Sequence, residues 1–210
     1  MKNKKTLLIL ILAFALLIGG AYVLYDRLGQ EVKTDQLTVQ QPQPAGKNDL
    51  SEPAVSTEPE ESVPPVESTE PEKILAPDFT VYDEAGNEVQ LSNYFGKPIV
   101  VNFWASWCGP CQMEMPDFHE KYLEQGDQVH FLMINMTGGR ETKESAVGFI
   151  QEQGFTFPVL YDIDGDAAMT YGAYSLPTTY FIDTEGYVIA RAVGAIDGAT
   201  LQRGIDMIMP

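Results

Sequence analysis

The chain has 210 residues, and its 30 acidic residues against 13 Lys and Arg give a formal net charge of −17 at pH 7. This charge repels the phosphate backbone of DNA or RNA and so excludes nucleic acid as the expected partner. The two cysteines and the two histidines, His119 and His130, lack the spacing of a structural zinc site, so we expect no bound metal. The sequence contains no flavin or nicotinamide motif, and we expect no cofactor.

Residues 1–28 have the pattern of a membrane signal-anchor. Three lysines precede an uncharged run from Thr6 to Tyr25, and about 20 apolar residues suffice to cross a bilayer. The lysines predict a cytoplasmic N-terminus with the rest of the chain outside. A cleaved signal peptide is the alternative, because Gly19 to Ala21 supply small residues, although its apolar core is usually only about 7–15 residues long. Either interpretation exports the domain, and we favour a single-pass protein of the cell membrane.

Residues 29–73 have the composition of a disordered linker. Proline, glutamate, serine and threonine dominate this segment, and large apolar side chains are nearly absent. Such a segment cannot bury enough apolar surface to fold, and its prolines and negative charges favour an extended chain. We therefore interpret it as a plain spacer between the anchor and the domain that follows.

Residues 74–210 have the size and pattern of one α/β domain. The alternation of apolar runs, amphipathic segments and turn residues predicts a mixed central sheet covered by helices on both faces. In chain order we expect an N-terminal hairpin (76–82 and 89–91), a buried strand (98–104), a helix (109–125), a strand (129–136), a helix (141–153), a strand (157–161), a short helix (166–171), a second hairpin (178–182 and 187–193) and a last helix (199–209).

The motif Cys108-Gly109-Pro110-Cys111 contains both cysteines of the chain and directly follows the buried strand. Two thiols at this spacing, at the start of a helix, are typical of a redox dithiol that exchanges disulfides. A purely structural disulfide is the alternative, but so short a loop gains the least stabilisation from being closed. The residues therefore favour a redox function.

Several motifs resemble those of known proteins. The stretch from Phe103 to Cys111, with Pro116 after it and Leu176-Pro177-Thr178 far along the chain, resembles the thioredoxin superfamily. The opening residues 76–79, the helix–strand insertion around 141–161 and the segment Cys111-Gln-Met-Glu-Met-Pro116 are similar to its TlpA/ResA-like branch. The resemblance implies a thioredoxin-like fold and a membrane-tethered thiol–disulfide oxidoreductase that faces the extracytoplasmic side.

The two cysteines have different expected roles. Cys108 is expected to be exposed at the helix N-terminus, where unpaired backbone donors and the helix dipole lower the pKa of its thiol and make it the nucleophile. Cys111, one turn further, is expected to be more buried and to resolve the mixed disulfide. Gly109 gives a partner chain room to approach, and Pro110 fits the first helical turn. A Gly-Pro pair between the cysteines resembles the reducing thioredoxins.

The proton acceptor for Cys111 departs from the thioredoxin pattern. Thioredoxins have a buried aspartate at the position that Asn102 occupies here, and an asparagine cannot titrate. Glu114 lies three residues after Cys111 and so on the same helical face, and the matching glutamate of the TlpA/ResA-like branch is regarded as an active-site residue. We predict that burial raises the pKa of Glu114 and that it exchanges a proton with Cys111. The alternative is an ordinary exposed helix glutamate.

Three further residues complete the predicted site. Pro177 resembles the cis-proline that lies opposite the dithiol in this superfamily, and beside it the backbone of Leu176 is expected to pair with an extended substrate. Trp107 is expected near the dithiol as part of the substrate surface, and Trp104 mainly in the core. A trans turn proline is the alternative for Pro177.

The resemblance leaves the substrate open. Our main hypothesis is a reductase of disulfides in exported proteins, among which cytochrome c apoproteins are the best-known substrates of this branch. A membrane electron donor would have to re-reduce it. Two alternatives are an electron donor that recycles an extracytoplasmic methionine sulfoxide reductase or peroxidase, and a tethered binding or chaperone module in which the disulfide stays closed.

Overall fold

The computed structural model of the protein describes residues 37–39 and 73–210. The predicted anchor, residues 1–28, lies outside the described residues, as does most of the predicted linker. In the part of the chain that is described, no helix is long and apolar enough to cross a bilayer.

The strands are β1 (Leu37–Val39), β2 (Ile74–Leu75), β3 (Thr80–Tyr82), β4 (Glu88–Gln90), β5 (Ile99–Trp104), β6 (His130–Asn135), β7 (Val159–Tyr161), β8 (Thr178–Ile182) and β9 (Tyr187–Val193). The helices are α1 (Gly109–Gln125), α2 (Lys143–Gln153), α3 (Asp166–Tyr171) and α4 (Gly198–Ile208).

These strands form one mixed sheet in the order β1-β9-β8-β5-β6-β7-β3-β4, with β2 also paired to β9. The neighbours β5, β6 and β7 run parallel, and the other pairs are antiparallel. All six residues of β5 are buried, as expected for a central strand that is covered on both faces. The predicted mixed sheet, its N-terminal hairpin (β3–β4) and the hairpin β8–β9 are confirmed.

Successive residues of β5 point to opposite faces and so divide the core in two. Val100 and Trp104 pack in one cluster with residues of α1 and α4, whereas Val101 and Phe103 pack in the other with residues of α3. Asn102 lies between Val101 and Phe103 and therefore points to the same face as Trp104. This alternation directs one polar side chain of the central strand towards α1, which carries the cysteines.

One correction concerns the predicted linker, residues 29–73. Within it the structure places the strand β1, which pairs antiparallel with β9: Leu37 lies opposite Ala192, and Val39 lies opposite Ala190. The outer edge of β9 offers unpaired backbone groups to any extended neighbouring segment. Composition alone could not reveal this strand, because its partner lies about 150 residues away.

Two element boundaries also differ from the expectations. The first strand of the N-terminal hairpin begins at Thr80 and not at residue 76, because Pro77 has no N–H to donate to a ladder. Helix α2 begins at Lys143 and not at Glu141, since the hydroxyl of Thr142 caps it by accepting from the Ser145 N–H. Glu141 therefore lies in the preceding loop, where its side chain has another use.

Helix α4 packs so closely on β8 that it has room only for glycine at position 204. A Cβ added to Gly204 would lie 2.2 Å from the ring of Phe181, which is fully buried. We expect Gly204→Ala to destabilise the domain by about 2 kcal/mol or more through overpacking. Gly148 in α2 is the matched control, because a Cβ there meets nothing within 4 Å. Gly148→Ala should be stabilising by roughly 0.5–1 kcal/mol, and urea unfolding of both variants measures the contrast; equal effects would contradict this packing.

Candidate active site

The dithiol lies where the chain leaves β5 and enters α1. Cys108 is the N-cap of this helix, its sulfur accepts from the backbone N–H of Cys111 at 3.2 Å, and Pro110 occupies the first turn. The two cysteines are joined by a disulfide with a Cα–Cα distance of 5.2 Å, within the usual range for such bonds. The predicted redox pair is thus present in its oxidised form at a helix N-terminus.

The exposure of the two cysteines differs less than expected. Cys111 is fully buried, as predicted, but Cys108 is only 5% exposed and packs in the same cluster. The expectation of an exposed Cys108 is therefore wrong for the oxidised form. In this form the sulfur of Cys108 is bonded to that of Cys111, which points it towards the buried side of the turn. Cys108 nevertheless lines a surface pocket.

That pocket has a volume of about 530 Å³ and a mainly apolar lining. Trp107 is 44% exposed and Tyr174 is 82% exposed, so two aromatic rings face solvent next to the dithiol. The Leu176–Pro177 peptide bond is cis, as the resemblance implies. The structure thereby brings most of the predicted substrate-binding residues together: the pocket is lined by Trp107, Cys108, Gly109, Pro110, Met136, Ala173, Tyr174 and Leu176. Trp104 is fully buried in the core, as expected.

Glu114 lies in α1 three residues after Cys111 and is buried, with only 2% of its surface exposed. Its carboxylate accepts from the side-chain amide of Asn102 at 2.8 Å and from the backbone N–H of Ile196 at 3.0 Å. Loss of solvation raises the pKa of Glu114 to about 7, partly opposed by these two hydrogen bonds, and the nearby Asp117 adds to the rise. The predicted burial is confirmed and the pKa is shifted in the predicted direction, so the alternative of an exposed glutamate is excluded. Proton exchange with Cys111 stays a prediction.

Asn102 connects Glu114 to the sheet. Its amide nitrogen donates both to Glu114 and to the hydroxyl of Thr179 at 3.0 Å, while its own oxygen is buried and has no hydrogen-bond partner among the described residues. The non-titrating side chain at the position of the thioredoxin aspartate therefore contacts a titrating one from α1. A buried acceptor without a partner is costly. Rotation of this amide would present the oxygen to a protonated Glu114, which could then donate to it.

The pKa of Glu114 makes stability depend on pH. Since the folded value of about 7 lies above the ordinary 4.5, the folded protein holds this proton more tightly than the unfolded chain. The more tightly held proton adds about 3 kcal/mol to the free energy of unfolding. This stabilisation is complete below pH ~4.5 and is lost as the pH rises through ~7. Urea unfolding at pH 5 and pH 8 should show this loss, and Glu114→Gln should remove it. The same pH dependence in both proteins would contradict the assignment.

A second buried carboxylate near the dithiol was not predicted. Glu141 is 2% exposed and accepts from the backbone N–H and the hydroxyl of Ser106, and also from the amide of Asn135. Next to it, the guanidinium of Arg140 lies 4.0 Å from the centre of the Trp107 ring. The sequence pattern assigned Glu141 to the start of a helix, and the only hint of another role was the Gly138-Gly139 turn before it.

Comparison with known proteins agrees with this geometry. The model of the AhpC/TSA family matches residues 74–191, more than half of the chain. The chain belongs to this family, in the TlpA/ResA-like branch of the thioredoxin superfamily. The thiol-disulfide oxidoreductase ResA of Geobacillus kaustophilus is 36% identical over 136 residues, which cover 64% of this chain and 76% of the relative. The thioredoxin-like protein YneN of Bacillus subtilis is 32% identical over 132 residues, 63% of this chain and 77% of that protein.

Solved structures of the same superfamily match the described domain of this TlpA/ResA-like chain. An exposed lipoprotein thioredoxin from Streptococcus pneumoniae is 30% identical with a TM-score of 0.55, covering 62% of this chain and 98% of that one. A DsbF homologue from Corynebacterium diphtheriae is 27% identical with a TM-score of 0.56, covering 63% of this chain and 85% of that one. This TlpA/ResA-like protein is accordingly an enzyme, a thiol–disulfide oxidoreductase that acts on disulfide-containing proteins.

Proposed function

We propose that this oxidoreductase works as a reductase, tethered to the outer face of the cell membrane, that opens disulfides in exported proteins. The observation that carries the proposal is the combination of a Cys-Gly-Pro-Cys dithiol with the buried carboxyl group of Glu114 on the same helix. Such a carboxyl group, whose pKa lies near 7, can both accept and return a proton at neutral pH. The apolar run at residues 6–25 supports the membrane attachment.

In the reduced enzyme, Cys108 starts the reaction. Its thiolate is stabilised by the helix N-terminus and by the Cys111 N–H, and it attacks one sulfur of the client disulfide. The client's other sulfur leaves as a thiolate and takes up a proton, which leaves a mixed disulfide between Cys108 and the client.

Cys111 completes the reaction. Its thiol transfers a proton to the carboxylate of Glu114, and the resulting thiolate attacks the sulfur of Cys108. The bond between Cys108 and the client breaks, and the second client sulfur leaves as a thiolate that takes up a proton as Glu114 releases its own. The client gains two electrons and two protons, and the enzyme becomes the disulfide form described above. A membrane electron donor then returns two electrons to the enzyme.

The pocket beside Cys108 suits an extended client segment with apolar side chains. Trp107 and Tyr174 offer aromatic contact area, and the neutral lining imposes no charge on the client. The backbone of Leu176 would pair with the client strand. Cytochrome c apoproteins before haem attachment, which carry a Cys-X-X-Cys pair in an unfolded segment, fit this description, and we propose them as a client class.

The direction of the reaction distinguishes a reductase from an oxidase. With an apocytochrome peptide that contains a Cys-X-X-Cys pair, we expect the reduced domain to open the peptide disulfide completely at equimolar concentration. The oxidised domain should leave the peptide dithiol largely reduced. Separation of the acid-quenched, alkylated species by mass spectrometry measures both reactions. Efficient oxidation of the peptide dithiol would overturn the proposed direction.

A further inference from the structure

Every polar group of Ser106 is engaged, and Glu141 holds two of the three. The carboxylate accepts from the Ser106 N–H at 3.1 Å and from its hydroxyl at 2.8 Å, while the Ser106 carbonyl accepts from the side chain of Gln112 at 2.6 Å. Ser106 lies two residues before Cys108, in the turn that carries the nucleophile from β5 to α1. This turn is therefore fixed on one side by Glu141 and on the other by α1 itself.

Capping of the helix that follows does not explain the burial of Glu141. Helix α2 is capped by Thr142 and not by Glu141. The carboxylate of Glu141 accepts a third hydrogen bond from the Asn135 amide at 3.0 Å, which fixes it to the end of β6. A buried carboxylate is costly unless its oxygens are satisfied, and here two of its three donors belong to one residue of the active-site turn.

The backbone around Glu141 is itself held in place. Gly138 and Glu141 exchange two backbone hydrogen bonds of 2.9 and 3.0 Å, which close a tight loop. Gly138 and Gly139 have φ angles of 144° and 60°, a region that favours glycine. From this loop Arg140 also lies over the ring of Trp107. One short loop thus contacts both residues that precede the nucleophile.

We propose that Glu141 is a positioning residue of the oxidoreductase. It holds the Ser106–Trp107 turn so that Cys108 stays at the N-cap of α1, with its sulfur at the helix N-terminus and at the pocket. Glu141 acts through Ser106 and touches neither the client nor the reacting sulfurs. In its absence the turn can move, and the thiolate of Cys108 loses part of the stabilisation by the helix N-terminus.

Two substitutions separate the hydrogen bonds of Glu141 from its charge. Glu141→Gln and Glu141→Ala both remove the negative charge, but glutamine can still accept from the Ser106 N–H and donate to its hydroxyl. We expect the glutamine variant to keep kcat/KM for a disulfide peptide within about threefold of the parent, and the alanine variant to lose about 10-fold or more, since small displacements of a reacting group are costly. The pH profile of Cys108 alkylation should lie at higher pH in the alanine variant than in the glutamine variant.

Asp162→Asn is the control for loss of a buried carboxylate. Asp162 is also 2% exposed, but its carboxylate accepts from the backbone N–H groups of Ala167 and Ala168 in α3, and none of its described hydrogen bonds involves the active-site turn. This variant should lose stability while its kcat/KM and alkylation profile stay unchanged. Should Glu141→Ala fail to fold, Ser106→Ala removes one of the same hydrogen bonds and should shift both readouts in the same direction by a smaller amount. Equal kcat/KM and equal pH profiles in the glutamine and alanine variants, or no shift in Ser106→Ala when it is the variant measured, overturn the proposal.

Discussion

Replacing Cys108 with serine is expected to lower the rate of thiol–disulfide exchange by roughly 10³-fold or more, as for loss of other catalytic nucleophiles. Replacing Cys111 with alanine has a different expected outcome, because the first attack by Cys108 remains possible. Without the thiol of Cys111, no group of the enzyme attacks the mixed disulfide, and the client stays bonded to Cys108. A stoichiometric covalent complex between Cys111→Ala and the client should therefore accumulate.

These outcomes follow from the positions of the two sulfurs. Cys108 lines the surface pocket, whereas Cys111 is fully buried and is bonded to Cys108. Incubation of each variant with an oxidised Cys-X-X-Cys peptide, followed by acid quenching and mass spectrometry without reductant, measures the complex. The double variant with both cysteines replaced is the control and should form none. A complex with Cys108→Ser as abundant as with Cys111→Ala would contradict this assignment of roles.

Replacing Glu114 with glutamine is expected to slow resolution of the mixed disulfide by about 100-fold near pH 7, within the range of general acid–base catalysis. In the parent enzyme this step should accelerate as the pH rises through about 7, because Glu114 accepts the proton of Cys111 only when ionised. The variant should lack this acceleration. Its amide can be accommodated, since the unpartnered oxygen of Asn102 can accept from it after rotation.

Rapid-quench measurement of the decay of a preformed mixed disulfide between pH 5 and 9 tests this role. Glu120→Gln is the matched control, because it removes a carboxylate from an exposed position of the same helix. This control should retain the rate and the pH dependence of the parent. The role of Glu114 in proton transfer is wrong if Glu114→Gln also retains them.

Local patterns were sufficient to predict the elements around the dithiol. The apolar run of β5 and the Pro110 start of α1 depend on neighbouring residues alone, and both were located correctly. Burial of Glu114 also followed from its spacing to Cys111 on one helix. Its hydrogen bond to Ile196 could not be predicted, because that loop is 82 residues away and reaches the helix only through tertiary packing.

Long-range contacts explain what the sequence did not reveal. Strand β1 depends on the free edge of β9, and nothing within residues 29–73 indicates that partner. Glu141 has the local pattern of a helix start, yet its side chain binds Ser106, which is 35 residues away. In both cases the deciding interaction is one hydrogen-bonding partner supplied by the fold. Motif spacing therefore located the two cysteines and Glu114, but not Glu141, which binds the turn before Cys108.

The reduction potential of the Cys108–Cys111 pair decides whether the enzyme is a reductase. Equilibration of the purified domain with defined ratios of oxidised and reduced dithiothreitol at pH 7, followed by alkylation and mass spectrometry, gives this potential. A value near that of thioredoxin, about −270 mV, is expected for a Cys-Gly-Pro-Cys reductase. A value near that of the strong oxidant DsbA, about −120 mV, would contradict it.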